Sequence, residues 1–445
     1  MIPLRRALRL GEAPQIAFVG AGGKSSAIFV LARQFTRPVL VTTSTHLSNS
    51  QANSGDNRIT IGGPSALSAL GSAPLPSLTV LVGPNQTEDR VSGLNFESLN
   101  ALSDFARKNN LPLLIEADGA RLRALKAPAD HEPAILDFVD AVVVVAGLLA
   151  LGKPLTEERV HRPERFAELS GLEIGEEIPP KALAAVFLHK DGGLKNTPNG
   201  ARRIALLNQA DTPELEAISR GLAMHLLSAG NGYDAVWVSA LQRSPDLLAV
   251  HEPVAGILLA AGESKRLGQP KALLNWSGKT FVRQIAETAL AASIDPVIVV
   301  TGAEAEQIEG ALEGLPIKRV RNKNWAQGQS SSVKAGLAAL PARIGAAIFL
   351  VVDQPQLPVS LIEELVAEHS RSLAPIVAPM VDDHRTNPVL FDGSTFPDFA
   401  ALEGDVGGRA IFSRHKVSWL PWVDSSLAID VDTPEDYFRL LNTGG

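Results

Sequence analysis

The stretch LLAAGESKRLGQPKALL, Leu258–Leu274, joins an apolar run to a turn of small residues and then to basic side chains. Short apolar runs that end at glycine are typical of buried strands in parallel sheets. The turn consists of residues that let backbone N–H groups approach an anion closely, Ala260, Ala261 and Gly262. Arg266 and Lys271 supply positive charge to the same anion. The stretch therefore predicts an α/β domain with a phosphate-binding loop.

Similar apolar runs occur in two series along the chain. The first half contains QIAFVG, PVLVTT, TVLVG, LPLLIEAD, AVVVVAG, AAVFLHK, RIALLNQAD and AVWVSAL. A second series begins near Ala255 and contains GILLAAG, DPVIVVTG, IKRV, AAIFLVVD, PIVAPM and PVLF. Amphipathic helices are expected between these runs, for example over 281–290 and 361–369. Because the runs alternate with helices, each series predicts a Rossmann-like, mainly parallel α/β sheet.

The strand pattern lapses between the two series, at SPDLLAVHEP. A chain of 445 residues is also too long for a single core of ordinary size. We therefore expect two domains, residues 1–245 and 254–445, with a linker within Gln242–Pro253. Ligands of open α/β sheets bind beyond the carboxyl ends of the strands, so functional residues should follow these runs.

Composition narrows the class of protein. The formal net charge of −7 argues against nucleic acid as the main partner, because phosphate binding on that scale needs a basic face. The absence of cysteine excludes disulfides and thiolate metal sites and fits a reducing compartment. No signal peptide is expected at the start, and the longest apolar run, Ala141–Leu151, is too short to span a bilayer. We expect a cytoplasmic protein without a membrane partner.

Five further blocks follow the first loop in the second half of the chain. They are NWAQGQSSSVKAG (324–336), FLVVDQP with Asp353, TNPVLF (386–391), LEGDVGGR (402–409) and DVDTPEDY (430–437). Together with the pattern L-A-A-G-x-S-x-R-x-G-x-x-K, they resemble the molybdenum cofactor nucleotidyltransferases over about residues 255–440. Guanylyltransferase relatives tend to carry glycine where this chain has Ala261, so the resemblance is greater to the cytidylyltransferase branch. Asn387 departs from the histidine that many relatives carry.

The resemblance implies that CTP and molybdenum-bearing molybdopterin are substrates and that pyrophosphate is released. It places Arg266 and Lys271 on the triphosphate, and it implies a nucleotide-binding set of Ala260, Ala261, Gly262, Ser264, Gly268, Gly328 and Ser331. Mg²⁺ offsets the charge that develops in such a transfer, and it needs only one or two protein carboxylates. Asp353 and Asp432 are the candidate ligands. Each also fits a capping role at a turn or helix start.

VGAGGKSS, Val19–Ser26, places a second glycine-rich loop between a strand and a helix. Its glycines Gly20, Gly22 and Gly23 would free the backbone for an anion, Lys24 would reach phosphates, and Ser25 would ligate Mg²⁺. A strict P-loop has glycine where Phe18 stands. The loop is therefore interpreted as a degenerate P-loop, with a simple strand-to-helix turn as the alternative.

Three later features of the first half favour nucleotide binding. Glu116 and Asp118 follow an apolar strand, where an acid can hold Mg²⁺ through water. Asn208 and Asp211 resemble the base-reading pair of GTPases, although Gln209 replaces their lysine. The segment at Ser239 and Ala240 stands where those proteins have a second base-contacting loop. Ordinary turn chemistry is the alternative for each feature.

EADGARLRALKAPADHEP (116–133) and VHRPERF (160–166) complete the pattern of the first half. Residues 10–240 resemble the YqeC family of accessory proteins for selenium-dependent molybdenum hydroxylases. Four side chains are candidates for an anion or substrate pocket: Lys126, His131, His161 and Arg162. A metal site at the two histidines is a weaker alternative to local hydrogen bonding.

The two resemblances together imply a P-loop-like parallel α/β domain followed by a nucleotidyltransferase α/β domain. They imply a fusion that makes a cytosine dinucleotide cofactor for a molybdenum hydroxylase of the xanthine dehydrogenase type. Two alternatives stay open. The chain could transfer nucleotides to a sugar phosphate or another phosphate acceptor, or it could be a non-catalytic cofactor chaperone.

Overall fold

A computed structural model describes residues 1–72, 74–230, 232–263, 267–292 and 294–443. The chain divides into two compact units, Met1–His251 and Glu252–Gly445. The segment expected to be a linker is not one throughout, because Asp246–His251 forms a strand of the first unit's sheet. The sequence pattern hid this strand because its residues are only partly buried and lack a long apolar run.

The first unit has fifteen strands within its described residues. They are β1 Ile2–Pro3, β2 Gln15–Gly20, β3 Val39–Thr43, β4 His46–Ser48, β5 Asn57–Thr60, β6 Leu78–Val82, β7 Asn85–Thr87, β8 Arg90–Ser92, β9 Leu113–Glu116, β10 Leu125–Lys126, β11 Ala141–Gly147, β12 Val160–His161, β13 Arg202–Asn208, β14 Ala235–Ser239 and β15 Asp246–His251. Its α-helices are α1 Leu4–Ala7, α2 Lys24–Ala32, α3 Asn49–Ala52, α4 Phe96–Lys108, α5 Pro163–Ser170, α6 Pro180–Leu188 and α7 Pro213–Ser228.

Ten of these strands form one sheet, in the order β1-β15-β14-β13-β11-β2-β9-β3-β6-β5. From β14 to β5 every neighbouring pair is parallel, whereas β15 is antiparallel to both of its neighbours. All seven residues of β11 are buried, as expected of a strand covered on both faces. The parallel register brings the ends of β2, β9, β11 and β13 to one edge of the sheet.

One predicted strand of this unit is wrong. AAVFLHK lies at the end of α6, which begins with Pro180 in its first turn and contacts α7. A short apolar run is compatible with a buried helix as well as with a strand, and proline in the first helical turn favours the helix.

The second unit has ten strands and six α-helices within its described residues. The strands are β16 Val254–Ala260, β17 Asn275–Trp276, β18 Lys279–Thr280, β19 Val297–Thr301, β20 Lys318–Arg321, β21 Ala346–Val351, β22 Ile376–Val381, β23 His384–Arg385, β24 Val389–Asp392 and β25 Val417–Pro421. The helices are α8 Phe281–Ala291, α9 Ala305–Ala311, α10 Gln329–Ala338, α11 Val359–Ser372, α12 Phe396–Phe399 and α13 Pro434–Thr443.

The main sheet of the second unit is mixed. Its order is β20-β19-β16-β21-β24-β22-β23, and β25 also pairs with β22. The strands from β20 to β21 are parallel, whereas β24 runs antiparallel to both β21 and β22. All six runs predicted as strands in this half are strands. Both units are therefore mixed α/β structures with parallel sheets, and β16 and β21 are neighbours whose ends carry the first loop and Asp353.

Of the helices in the described part of the chain, none has both the length and the apolar character needed to cross a bilayer.

Candidate functional site

The loop after β16 begins in the core of the second unit. Ala260 and Ala261 are buried, and the Ala261 carbonyl accepts a hydrogen bond from the Ala303 N–H at 3.1 Å. Gly262 has open space around its Cα, so a ligand could approach this backbone closely. Gly268 lies further along the loop. The predicted site residues Ser264 and Arg266 lie outside the described residues.

Lys271 joins the two predicted carboxylates. Its Nζ lies 2.6 Å from Asp432 Oδ1 and 3.6 Å from Asp353 Oδ2. Asp353 follows the end of β21, and Asp432 precedes α13. Three segments that are distant in sequence thus bring one ammonium and two carboxylates together. The structure places these three predicted residues in one cluster.

The Asp353 carboxylate has an environment that suits a cation. Burial raises the pKa of Asp353, and the neighbouring Lys271 ammonium opposes that rise. Its Oδ1 is buried and has no hydrogen-bond partner in the structure. An orphaned carboxylate oxygen beside a second carboxylate is a donor set that fits a hard divalent cation such as Mg²⁺.

Two neighbours of this cluster were not among the predicted residues. Asp430 is exposed, yet partial desolvation together with the carboxylate of Asp353 raises its pKa to about 6. Gln354 is buried, and its Nε2 donates to Asp430 Oδ1 at 2.8 Å. Asp430 lies two residues before Asp432 in DVDTPEDY, a proximity that could have indicated it, whereas no sequence signal indicated Gln354.

A cavity of about 610 Å³ lies at the start of α10. Its wall includes amide and hydroxyl side chains, one lysine and the backbone of a glycine loop: Asn322, Asn324, Ser331, Lys334 and Gly404. Ser331 accepts from Asn322 Nδ2 at 2.8 Å, so its hydroxyl is fixed on the cavity wall. The predicted residue Ser331 therefore lines a cavity, and Gly328 directly precedes α10.

Gly328 lies close to the backbone of Gly404, which is part of the cavity wall. Its φ is +101°, and a Cβ there would lie 2.3 Å from the backbone carbon of Gly404. Gly314, with φ of +81°, has open space instead. We expect Gly328→Ala to lower the free energy of unfolding by about 2 kcal/mol more than the matched control Gly314→Ala. Urea unfolding of both variants measures the difference, and equal losses would contradict the close approach at Gly404.

In the first unit, the predicted loop and strand-end acids form a buried charge cluster. Lys24 is 5% exposed, and its Nζ lies 3.1 Å from Asp118 Oδ1 and 4.0 Å from Glu116 Oε1. Burial alone would lower the pKa of Lys24, but the two carboxylates outweigh it and raise that pKa. Ser25 donates to Glu116 Oε2 at 2.9 Å. Lys24, Ser25 and Asp118 are thus brought together as predicted.

Asp118 is the centre of this cluster. Its Oδ2 accepts from the Gly20 N–H at 3.0 Å and lies 2.8 Å from Lys126 Nζ. Lys24 forms an ion pair with the other oxygen, Oδ1, which is buried and has no hydrogen-bond partner in the structure. Glu116 accepts a hydrogen bond from Ser25 beside this cluster.

The glycine loop itself is closely packed against the protein. The N–H groups of Gly20, Ala21 and Gly22 donate to Asp118, the Val145 carbonyl and the Arg123 carbonyl. These three groups are therefore not directed at an empty anion cradle. The prediction of a P-loop is not confirmed by this geometry, and the strand-to-helix turn fits the same three bonds.

Asn208 connects the glycine loop to the end of β14. Its Nδ2 donates to the Gly22 carbonyl at 2.8 Å, and its Oδ1 accepts from Ser239 Oγ at 2.9 Å. Gly23 leaves space for this amide, since a Cβ there would meet Nδ2 at 2.2 Å. Asp211 lies beyond the strand, where its carbonyl accepts from Arg243. The amide of Asn208 thus has a structural role, and Ala240 directly follows its partner Ser239.

The predicted anion pocket is built around a carboxylate. Glu132 Oε2 lies 2.7 Å from both Lys126 Nζ and Arg162 Nη1. Burial and the positive charges of Arg162 and Lys126 lower the pKa of His161 to about 4, whereas His131 is exposed. Within the described residues, no group of three histidine, aspartate or glutamate side chains is arranged to hold a metal ion. The alternative of a metal site at the two histidines is therefore not supported.

Glu132 is expected to stabilise the first unit in a pH-dependent way. Burial alone would raise its pKa, but hydrogen bonds from Arg162 and Lys126 outweigh it and lower that pKa from 4.5 to about 2. The contribution of the Glu132 carboxylate to the free energy of unfolding is therefore complete above pH 4.5 and is lost as the pH falls towards 2. We expect Glu132→Gln to cost about 3 kcal/mol at pH 7, and less as the pH falls below 4.5. Urea unfolding between pH 7 and pH 3 measures this, with the exposed Glu157→Gln as control.

Two protein-family models match the chain. The YqeC protein model matches residues 16–164, and the MobA-like NTP transferase domain matches residues 256–418. The two matches cover the glycine loop of the first unit and the Lys271 and Asp353 part of the second. Asp432 lies beyond the second match.

Curated relatives match each unit separately. The uncharacterized protein YqeC of Escherichia coli is 33% identical over 238 residues, 52% of this chain and 88% of its own length. The nicotine blue oxidoreductase of Paenarthrobacter nicotinovorans is 37% identical over 203 residues, 42% of this chain and 96% of its own. A molybdenum cofactor guanylyltransferase of Rhodobacter capsulatus is 29% identical over 195 residues, 43% of this chain and 90% of its own. The chain therefore belongs to the YqeC family through its first unit and to the MobA-like NTP transferase family through its second.

Proposed function

We propose that the second unit is a CTP:molybdopterin cytidylyltransferase. In this reaction an oxygen of the acceptor's terminal phosphate attacks the α-phosphorus of CTP. A new phosphorus–oxygen bond forms, the bond to the bridging oxygen breaks, and pyrophosphate leaves with the bonding electrons. The observation that supports the proposal most directly is the cluster in which Lys271 contacts both Asp353 and Asp432.

The chain's own residues would act by binding and charge. Lys271 is positioned to exchange its carboxylate partners for phosphate oxygens when a triphosphate enters. Asp353 and Asp432 would hold Mg²⁺, which supplies neutralisation of the phosphate charge when it is bound. The attacking phosphate is already ionised near neutral pH, so no general base is required. The rate enhancement would come from positioning the two substrates and from stabilising the negative charge that develops on the phosphates.

The proposed nucleotide and acceptor follow from the family resemblance and from the cavity at the start of α10. Ala261 favours cytidine within the resemblance, whereas one relative is named a guanylyltransferase and another an oxidoreductase. The cavity beside Ser331 is lined by amides and hydroxyls, which suit a nucleobase edge or a sugar, and also by the charged side chains of Lys334 and Glu403. A sugar-phosphate acceptor remains the alternative within the same reaction class.

Incubation of the purified chain with each nucleoside triphosphate, Mg²⁺ and molybdenum-bearing molybdopterin tests the proposal. We expect pyrophosphate release and a cytosine dinucleotide product with CTP only, identified by mass spectrometry. Parallel reactions with sugar 1-phosphates serve as the acceptor control. Turnover with those acceptors and not with molybdopterin would replace the proposed substrate. Loss of transfer in an Asp353 variant that still matures a hydroxylase would favour the chaperone alternative.

We further propose that the first unit binds a purine nucleotide with Mg²⁺ and assists maturation of a molybdenum hydroxylase of the xanthine dehydrogenase type. The supporting observation is the contact of Ser25 with Glu116 beside Lys24. A hydroxyl and a carboxylate at the start of a helix suit a hydrated magnesium ion, and Lys24 suits a phosphate. Nucleotide entry would have to displace Lys24 from Asp118.

A further inference from the structure

The segment that carries Asp432 is held by the chain that follows Asp353. Val431 N–H donates to the Asp353 carbonyl at 3.0 Å, so the backbones beside the two aspartates are hydrogen-bonded directly. Two glutamine side chains that follow Asp353 form further hydrogen bonds to the segment before Asp432. Gln356 Nε2 donates to the Ser426 carbonyl at 3.0 Å and to the Ile429 carbonyl at 2.7 Å.

Gln354 makes the more central of these contacts. Its side chain is only 2% exposed, and its Nε2 lies 2.8 Å from Asp430 Oδ1 and 3.0 Å from the Leu427 carbonyl. A third acceptor, Thr386 Oγ1, lies at 3.1 Å and itself donates to the Leu427 carbonyl. The buried amide of Gln354 therefore connects the segment after β21 to Leu427 and Asp430, the two sides of the turn that leads to Asp432.

The chemistry of this position favours an amide. The acceptors are a carboxylate, a carbonyl and a hydroxyl, and the N–H₂ of glutamine provides two donors without adding a charge. A glutamate would place another negative charge beside Asp430 and would lack the donors. A lysine would add a cation that competes with Lys271. A neutral donor thus satisfies Asp430 and leaves the charge balance around Lys271 unchanged.

Asp430 is better explained as an anchor than as a third metal ligand. No set of three acidic or histidine side chains in the described ranges has the arrangement of a metal site. One oxygen of Asp430 is also occupied by Gln354. Asp430 thus lies two residues before Asp432 and is attached to the residue that directly follows Asp353.

We infer that Gln354 is a positioning residue that sets the separation of Asp353 and Asp432 by holding Asp430 and Leu427. The inference rests on the proposed nucleotidyl transfer for its kinetic readout. Its binding readout, the affinity of the two aspartates for a divalent cation, does not depend on that function.

The test uses the full chain and the near-isosteric substitution Gln354→Met, with Gln307→Met as the matched control. Gln307 is exposed and donates to Glu304 on the protein surface. Titration with Mn²⁺ followed by electron paramagnetic resonance measures cation affinity. We expect Gln354→Met to weaken Mn²⁺ binding about tenfold and to lower kcat about tenfold, with KM for CTP changed less than about twofold. Gln307→Met should leave all three values unchanged.

Asp430→Asn and the double variant test whether Gln354 acts through Asp430. If it does, the double variant should bind Mn²⁺ about as weakly as Gln354→Met alone, because the second change removes a contact already lost. Additive losses would overturn the coupling.

Two further results would count against the inference. Wild-type Mn²⁺ affinity in a less stable Gln354→Met protein would assign Gln354 a purely structural role. Absence of Mn²⁺ binding by the unaltered chain would overturn the inference together with the metal assignment. Normal Mn²⁺ effects without any CTP transfer would instead support the positioning role and reject the proposed reaction.

Discussion

Replacing Asp353 with asparagine is expected to lower the rate of CMP transfer at least about a thousandfold, since charge stabilisation at such sites is worth several kcal/mol. The substitution keeps the shape of the side chain and removes the partly buried charge that faces Lys271. It also removes the carboxylate oxygen that has no protein partner. The measurement is pyrophosphate release from CTP with molybdopterin present, at saturating Mg²⁺.

Asp383→Asn is the matched control for this prediction. Asp383 is an exposed carboxylate in the turn between β22 and β23, so the same chemical change there should leave transfer within about twofold of the unaltered chain. Circular dichroism checks that both variants are folded. Near-normal turnover by a folded Asp353→Asn protein would remove Asp353 from the proposed catalytic set and, with it, the main support for the reaction.

The second large effect is expected at Lys24. Lys24→Met should weaken nucleotide binding by the chain about a hundredfold. The reason is that a hydrogen bond to a charged phosphate is worth about 3 kcal/mol, and the substitution removes it. It should also cost about 3 kcal/mol of unfolding free energy, because Asp118 and Glu116 would lose a buried cation. Lys126 would still neutralise part of that charge.

Calorimetric titration with ATP and GTP in Mg²⁺ measures the first effect, and urea unfolding measures the second. Lys108→Met is the control, since Lys108 is exposed at the end of α4. The CTP site of the second unit is saturated with CTP beforehand, so that only the first unit reports. A folded Lys24→Met chain with unchanged ATP and GTP binding would refute nucleotide binding by this loop.

Sequence pattern predicted the two sheets well because buried parallel strands are continuous apolar runs. It failed for AAVFLHK, where the same composition packs as the end of α6, and for β15, whose residues are only partly buried. Both failures concern short segments in which tertiary contacts outweigh local preference. The boundary between the two units falls within the predicted linker range, but part of that range, Asp246–His251, is strand β15.

The residues of the candidate site were predictable only where the residue type itself indicates a charge that can bind a phosphate or a metal ion. Lys271, Asp353 and Asp432 are predictable because they lie in the blocks that resemble the nucleotidyltransferases, and the fold brings them together. Gln354 was not predicted, because a glutamine acquires its role only from acceptors that lie far along the chain. The glycine loop shows the opposite error. Its sequence favours anion binding, yet Val145 and Arg123, over a hundred residues away, provide acceptors for its N–H groups.

The contact between Lys271 and Asp432 spans 161 residues of sequence. Contacts of such long range form after local ones, and domains complete their folding only when their last segments are available. During synthesis, the first strands of the second unit can therefore assemble before the residues near position 432 have emerged. A ribosome-bound intermediate would possess much of the scaffold without a complete cation site. Nucleotide turnover would then begin only once the residues around position 432 have emerged and packed against the strands that precede them.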